Sequence, residues 1–494
     1  MPCAGMQNGR VSAVQHVRTG EVGMPPRLRT GSAALLASVL LCAACTAEQP
    51  ELDPGPSPWA DRPVVSLAFD VAPDLGSATG RESLEFTPDL ATCELVFRAW
   101  PNKPFTSRTG TSLVVDRVTV DGEPARAEDV AAGAPQEAPA GTLLEVPLTE
   151  CAEPGEQLTV VLDFTLQLGR DANERVGTST AADIAWFATA FPLLAWERGQ
   201  GWNRDPAVPV NGEMAVSEDF RLDALEVTAA SEYEVLGTGT PAGTEEGAAG
   251  TTVHRFTASA VRDVAVSVGR LEVTERTVEG VSVRVAAARG TRTDLRTWAD
   301  EVAGSMTELV DLLGPFPYPD LWVTVVPSQS SGIEFPGAIQ FGDVRPEARR
   351  PLLAHELAHM WFYGLVGNNQ GRDPWLDESF ATYAQLVTAG GTTPAYADIP
   401  TDQRRDVGQP MTYWTDFRRP SSRYYDTVYD VGAAALVEAR ARAGQDTFDA
   451  AVRRYLRDNA YTIATPQDVQ TAFTDVPAAL ALLRDVGALP SAGD

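Results

Sequence analysis

What most restricts the folds open to this chain is five residues long: His355-Glu356-Leu357-Ala358-His359, set in the otherwise apolar run from Leu352 to Phe362. Helical residues four apart lie on one face, so both imidazoles aim at a single point. Neutral imidazole nitrogen is a good zinc donor, and a catalytic zinc needs three protein ligands plus an open position for water. Glu356 is offset from that face and would reach the water, where a general base belongs. A solvent-facing amphipathic turn would also explain five such residues taken alone. Against it, only four histidines occur in the chain, His16, His254, His355 and His359, and two of them fall at ligand spacing. A helix this apolar is buried, and buried imidazoles and carboxylates need a partner.

His16 falls in the leader, His254 in a strand-like run far upstream, and no cysteine follows Cys151. The third ligand is therefore expected to be a carboxylate. The run Trp375-Leu376-Asp377-Glu378-Ser379-Phe380-Ala381 supplies one, Glu378, at the start of a second helix that stops at Gly390-Gly391. Gly364, Gly367, Asn368-Asn369, Gly371 and Asp373-Pro374 lie between the helices and let the chain double back. The expected cofactor is one Zn2+ per chain.

A length of 494 residues predicts two or three domains. The formal net charge of −28 repels nucleic acid and anionic lipid, so neither is expected as a partner through charge. At the N-terminus, Arg27 and Arg29 precede the apolar run Ala33 to Leu41 and then Cys42-Ala43-Ala44-Cys45, which reads as an export signal over residues 1–44 with Met24 as a candidate true start. That apolar core is too short to span a bilayer. A small residue before a cysteine resembles a bacterial lipobox, which makes Cys45 the expected lipidated residue; plain cleavage at the same place is the alternative. Residues 45–61, rich in proline and acid, read as a tether. The expected location is the outer face of a bacterial cytoplasmic membrane, held only by the N-terminal lipid, or else secreted. Of five cysteines, Cys93 and Cys151 then remain as a pair, expected as a disulfide outside the cytoplasm, with two buried thiols as the alternative.

From residue 62 to 281 the text alternates or is β-branched, as in Ser112 to Val120 and Leu158 to Phe164, between Asp-Gly and Pro-Gly turns. An all-β, sandwich-like domain is expected there. After Gly290, Leu295, Trp298, Val302, Met306, Leu309 and Leu313 recur at helical spacing and Gly314-Pro315 closes the helix. Leu321 to Val326 reads as a buried strand, and Gly332 to Phe341 as a second strand carrying Glu334. A helix from Tyr425 to Ala443 carries Tyr429, and helices are expected over 447–459 and 466–473. The expected organisation is an N-terminal β domain (62–281), an α+β domain (282–480) and a tail (481–494).

HELAH, the gap of eighteen residues to Glu378, and WLDESFATY resemble the aminopeptidase N and leukotriene hydrolase family of gluzincin metallopeptidases. Ser331-Gly332-Ile333-Glu334-Phe335-Pro336-Gly337 resembles that family's glycine-x-methionine-glutamate-asparagine exopeptidase motif, with Ile333 and Phe335 in place of methionine and asparagine. Thr427-Val428-Tyr429-Asp430-Val431-Gly432-Ala433 resembles the segment bearing its catalytic tyrosine. The resemblance implies a saddle-shaped β domain, a thermolysin-like catalytic domain, and peptide or protein substrates. It implies that His355, His359 and Glu378 hold the metal, Glu356 is the base, Glu334 with Gly332 binds the substrate's free α-amino end, and Tyr429 donates to the oxyanion, with Tyr424 and Tyr425 as competitors. Phe187 to Pro192 is expected near the substrate entrance. Asp377 and Val431 depart from the family's asparagine and lysine, and neither is expected to touch a ligand. The implied activity is aminopeptidase. An endopeptidase without the free-amine requirement, or a non-catalytic peptide-binding lipoprotein, are the alternatives.

Overall fold

The computed structural model describes residues 57–136, 138, 141–248, 250–288 and 290–490. The leader, Cys45 and most of the tether lie outside the described residues. Strand Val64–Val71 buries Val65, Leu67, Phe69 and Val71 while its other residues are more exposed, the period of two that a half-covered strand requires. Ser77–Phe86 and Leu158–Gln167 repeat the pattern. They belong to an eight-stranded sheet in which Val64–Val71 runs parallel to Phe220–Ala230 and antiparallel to Ser77–Phe86. Two four-stranded sheets and the two-stranded pair Trp196–Glu197 with Gly201–Trp202 complete the β half. In one of them the Cys93–Cys151 disulfide joins neighbouring strands Thr92–Arg98 and Leu143–Ala152 across a separation of 58 residues. Closing a loop of that length contributes about 4 kcal/mol in the chain-entropy picture.

A five-stranded mixed sheet follows, in the order Leu271–Val278, Val281–Ala288, Asp320–Val326, Ala338–Gly342, Gly332–Phe335. Helix Leu295–Leu313 is the crossover between two of its parallel strands. Asp294 caps that helix by accepting from the Thr297 N–H, and Gly314 (φ 106°) ends it. This sheet is covered on both faces, so Asp320–Val326 is buried at every position. Leu321, Val323, Val325 and Phe341 pack into the helical core. Trp322, Val326, Phe335 and Ala338 pack into the β-sandwich core. Arg262 ties the halves together, donating from Nη1 to the Ser217 carbonyl (2.7 Å) and from Nε to the Gly364 carbonyl (3.2 Å). No described helix is long and apolar enough to cross a membrane.

Several boundaries differ from expectation. The second sheet begins at Leu271, upstream of residue 282, because Leu271–Val278 forms a hairpin with Val281–Ala288; strand text on both sides hides such a join. Gly332 to Phe341 is two antiparallel strands, since Pro336 offers no N–H and Gly337 (φ 67°) turns the chain back. The expected tail starts inside helix Pro477–Asp485, which buries Leu480, Leu482 and Leu483. The helix carrying Tyr429 is interrupted, with a π-helical turn at Tyr425–Val431 leading into α-helix Gly432–Ala443.

Candidate active site

Helix Arg350–Ala358 ends where it is needed, its last turn closed by the His359 N–H to the His355 carbonyl (3.3 Å). The chain then wraps through Tyr363 (φ 89°) and Gly364 into the loop that leads to helix Trp375–Thr388. This wrap ends the helix earlier than the apolar run to Phe362 suggests. It also brings the start of the second helix against the end of the first.

The two Nε2 atoms of His355 and His359 stand 3.1 Å apart. Glu378 Oε2 lies 3.3 Å from the former and 3.5 Å from the latter. Two zinc donors about 2.0–2.1 Å from a tetrahedral ion are about 3.3 Å from each other, so this triangle matches one face of that tetrahedron. All three side chains are buried, at 6, 1 and 3 % exposure. Glu378 Oε2 has no hydrogen-bond partner, and a buried carboxylate oxygen left so is costly. Glu334, Glu356 and Asp377 are buried around the same imidazoles. Burial alone pushes the Glu378 carboxyl up, yet its contacts with His355 and His359 prevail and hold it at about 2. Burial draws His355 down, whereas for His359 the charges of Glu334 and Asp377 overcome burial and hold it well above the usual range. Two imidazoles and an ionised carboxylate converge on one point, and a divalent cation there takes the place of the proton that the surrounding carboxylates otherwise hold on His359.

Asp377 corrects one expectation. Its Oδ1 accepts from His359 Nδ1 at 2.6 Å, while Gln370 Nε2 donates to its other oxygen (2.7 Å). That bond holds the ring with Nε2 turned toward Glu378, as outer partners of metal-binding histidines commonly do. Asp377→Asn is expected to weaken metal affinity by about 10–100-fold, read by competition with a chromogenic chelator. Unchanged affinity would show that the helix alone orients the ring.

Glu356 lies beside the triangle, with its carboxyl near both His359 and Glu334. Burial, then the Glu334 charge, push its carboxyl well up. Gly332 is what lets the edge strand approach so closely: a Cβ there would lie 2.3 Å from Glu356 Cγ. Glu334, Glu356 and His359 also come close enough to hold an ion. The triangle with the orphaned oxygen is the better nest, because Glu334 and Glu356 satisfy each other by a hydrogen bond.

The Tyr429 ring stacks on the His355 ring (centroids 5.7 Å, planes 16° apart), and its hydroxyl meets Glu378. A π-turn adds one residue to the helical repeat and turns side chains to a new face, and such turns concentrate at functional sites. Here Ser379 Oγ donates to the Val428 carbonyl (2.6 Å) within that turn. Gly432 makes room for the approach, since a Cβ there would strike Ser379 Oγ. Of the competing tyrosines, Tyr425 lines the cavity with its hydroxyl accepting from Asn211 Nδ2 (2.9 Å), and Tyr424 is fully buried against the Tyr429 ring (5.6 Å). Burial pushes the Tyr429 phenol well up, so it stays a donor at any working pH.

These groups share a cavity of about 290 Å³ whose other wall comes from the β half: Lys103, Asn173, Glu174, Arg175 and Asn211. Phe187 to Pro192 does not line it. Phe187, Ala188 and Phe191 pack in the sandwich core, and Thr189 acts from behind, accepting from Arg175 Nη1 (3.0 Å) and donating to Asp263 Oδ2 (2.6 Å). The periodicity of the β text hid the cavity-lining residues. One signal was available: Lys103 is the chain's only lysine.

Residues 345–487 match the peptidase family M1 domain. Among curated proteins, the chain is similar to tricorn protease-interacting factor F2 of Thermoplasma acidophilum (28 % identity over 186 residues, 33 % of this chain and 24 % of that protein). It is also similar to aminopeptidase N of Streptomyces lividans (31 % over 136 residues, 24 % of this chain and 16 % of that protein). The alignments thus span about a quarter or less of these relatives' lengths. Among solved structures, an M1 zinc metallopeptidase from Deinococcus radiodurans superposes with a TM-score of 0.61 at 20 % identity, covering 87 % of this chain and 95 % of that one. A substituted form of that enzyme bound to a Tyr-Ser-Ala substrate superposes with a TM-score of 0.62 at 19 % identity, covering 88 % and 96 %. The β half followed by the α+β half is therefore the two-part fold of that structure.

Proposed function

We propose that the protein is a zinc-dependent aminopeptidase that removes N-terminal residues from peptides, a reading supported by the match of residues 345–487 to the peptidase family M1 domain and by the similarity to aminopeptidase N. The observation that carries this reading is the triangle of His355 Nε2, His359 Nε2 and Glu378 Oε2, in which the buried Glu378 Oε2 has no well-aligned hydrogen-bond donor. These three residues would hold the zinc. When bound, zinc supplies Lewis acidity to the scissile carbonyl and to a water molecule.

The remaining chemistry belongs to the chain. Glu356 takes a proton from the attacking water and hands it to the departing amine, a double duty that suits a carboxyl raised by burial. Tyr429 donates a hydrogen bond to the oxygen on which negative charge grows. Gly332–Phe335 is the edge strand of its sheet, so an extended peptide can pair with its free side. Glu334, buried on that strand, takes the α-ammonium and so sets the register of cleavage at the first peptide bond.

A free-amine peptide and its N-acetylated twin give the decisive comparison. The acetylated form is expected to be cleaved at least about 100-fold more slowly, since a buried carboxylate is then left without its cation. Equal cleavage removes Glu334 from this role and makes the protein an endopeptidase. Export, with Cys45 as a lipid anchor, is part of the same proposal; the Cys93–Cys151 disulfide supports an oxidising compartment.

A further inference from the structure

We propose that Lys103 reads the side chain of the substrate's first residue and gives the site a preference for peptides that begin with an acidic residue; this deepens the aminopeptidase reading and rests on it. Lys103 belongs to the β half, at the N-terminal end of the short helix Pro104–Ser107, yet it lines the cavity. Its backbone is clamped. Asn102 donates from Nδ2 to the carbonyls of Leu113 (2.8 Å) and Gly141 (3.0 Å), and its Oδ1 accepts the Leu113 N–H (2.9 Å). The side chain passes over the buried Trp100 ring and the residue is only 6 % exposed.

An ammonium with so little water needs compensation. It receives little here, for no described residue hydrogen-bonds to it and the nearest carboxylate oxygen, Glu174 Oε2, stands 3.9 Å away. That oxygen already accepts from Thr106 Oγ1 (3.1 Å). Burial draws the Lys103 pKa down and Glu174 offsets it in part, leaving it at about 8, so the group is mostly charged at neutral pH. Arg175, the other cation on this wall, is committed to Glu213 and Thr189. Lys103, paired only loosely with Glu174 and the Trp100 ring, is left as the cation without a hydrogen-bond acceptor among the described residues.

Its position selects the substrate group. Lys103 lies within the field of Glu334, and Glu334 in turn within the fields of His359 and Glu378. Lys103, Glu334 and the triangle of His355, His359 and Glu378 all line one cavity. A peptide with its α-ammonium on Glu334 and its first carbonyl at the triangle has its first side chain inside that cavity, free to reach the wall that Lys103 forms. A carboxylate on that side chain meets Lys103, where a charge-assisted hydrogen bond completes both partners.

The test uses the zinc-loaded full chain and X-Ala dipeptides with X = Glu, Gln or Ala, each as free acid and as C-terminal amide. Wild type is expected to favour Glu over Gln by roughly tenfold or more in kcat/KM in both C-terminal forms. In Lys103→Met the Glu/Gln ratio is expected to fall to about 1, and in Lys103→Arg to stay well above it. A wild-type ratio near unity, or one that survives Lys103→Met, overturns the proposal. Discrimination between acid and amide in place of Glu against Gln also overturns it, because Lys103 would then read the chain end. If Lys103→Met does not fold, inhibition of wild type by free L-glutamate against L-glutamine reads the same preference, and equal inhibition overturns it. Absence of cleavage of every dipeptide, Ala-Ala included, defeats the aminopeptidase reading itself, whereas cleavage of Ala-Ala without a Glu/Gln difference defeats only the role of Lys103.

Discussion

Glu356→Gln is expected to lower kcat/KM by about 10³–10⁴-fold, or about 4–5 kcal/mol of transition-state stabilisation, while the zinc content stays at one per chain. The side chain keeps its shape and the space Gly332 leaves for it, so the fold has no reason to respond. What disappears is the ability to accept a proton and return it. Glu356 contributes no atom to the His355, His359, Glu378 triangle, which is why metal content and turnover should separate. Steady-state kinetics and elemental analysis on one preparation check both halves. Activity within tenfold of wild type would reject Glu356 as the base. Loss of zinc would mean that Glu356 is a ligand and that the nest is drawn on the wrong residues.

Tyr429→Phe is expected to lower kcat by about 10²–10³-fold with KM little changed, the signature of a donor used only as charge develops. The ring would still stack on His355, and the bond from Ser379 Oγ to the Val428 carbonyl would still hold the π-turn in place. Loss of the hydroxyl therefore isolates one hydrogen bond. Tyr425→Phe is the matched control; its hydroxyl is engaged with Asn211, so a much smaller effect on kcat is expected. If the two variants lose activity in the opposite order, the oxyanion donor is Tyr425.

The metal nest could be read from spacing because each piece obeys a local rule. Four residues fix the separation of two imidazoles, and the glycine- and asparagine-rich loop must return the next helix. The contact of Asp377 with His359 is not legible in the sequence, because nothing in linear order says which neighbour of a ligand faces the other helix. The π-turn at Tyr425–Val431 was invisible for a related reason: an inserted residue changes the face presented without changing which residues favour helix. Lys103, Glu174 and Arg175 belong to no motif: Lys103 precedes the short helix Pro104–Ser107, and Glu174 and Arg175 lie in the connection between strands Leu158–Gln167 and Val176–Ser179, so only the folded β half brings them to the cavity. The join at Leu271 escaped notice because strand text precedes and follows it, and only pairing assigns a strand to its sheet.

The sheet between the two cores has a consequence for how such a protein can change over time. Strand Asp320–Val326 gives alternate side chains to opposite halves, so any substitution at Trp322 or Val326 is answerable to the sandwich while Leu321 and Val323 answer to the helices. The α+β half is thus not a portable cassette. Shuffled onto another partner it would present an indole and a phenyl ring to solvent, and the wall bearing Lys103 would be lost with them. Selection on substrate choice and selection on folding act on the same seam, so new specificities are most freely acquired in the loops of the β half that reach the cavity without crossing it.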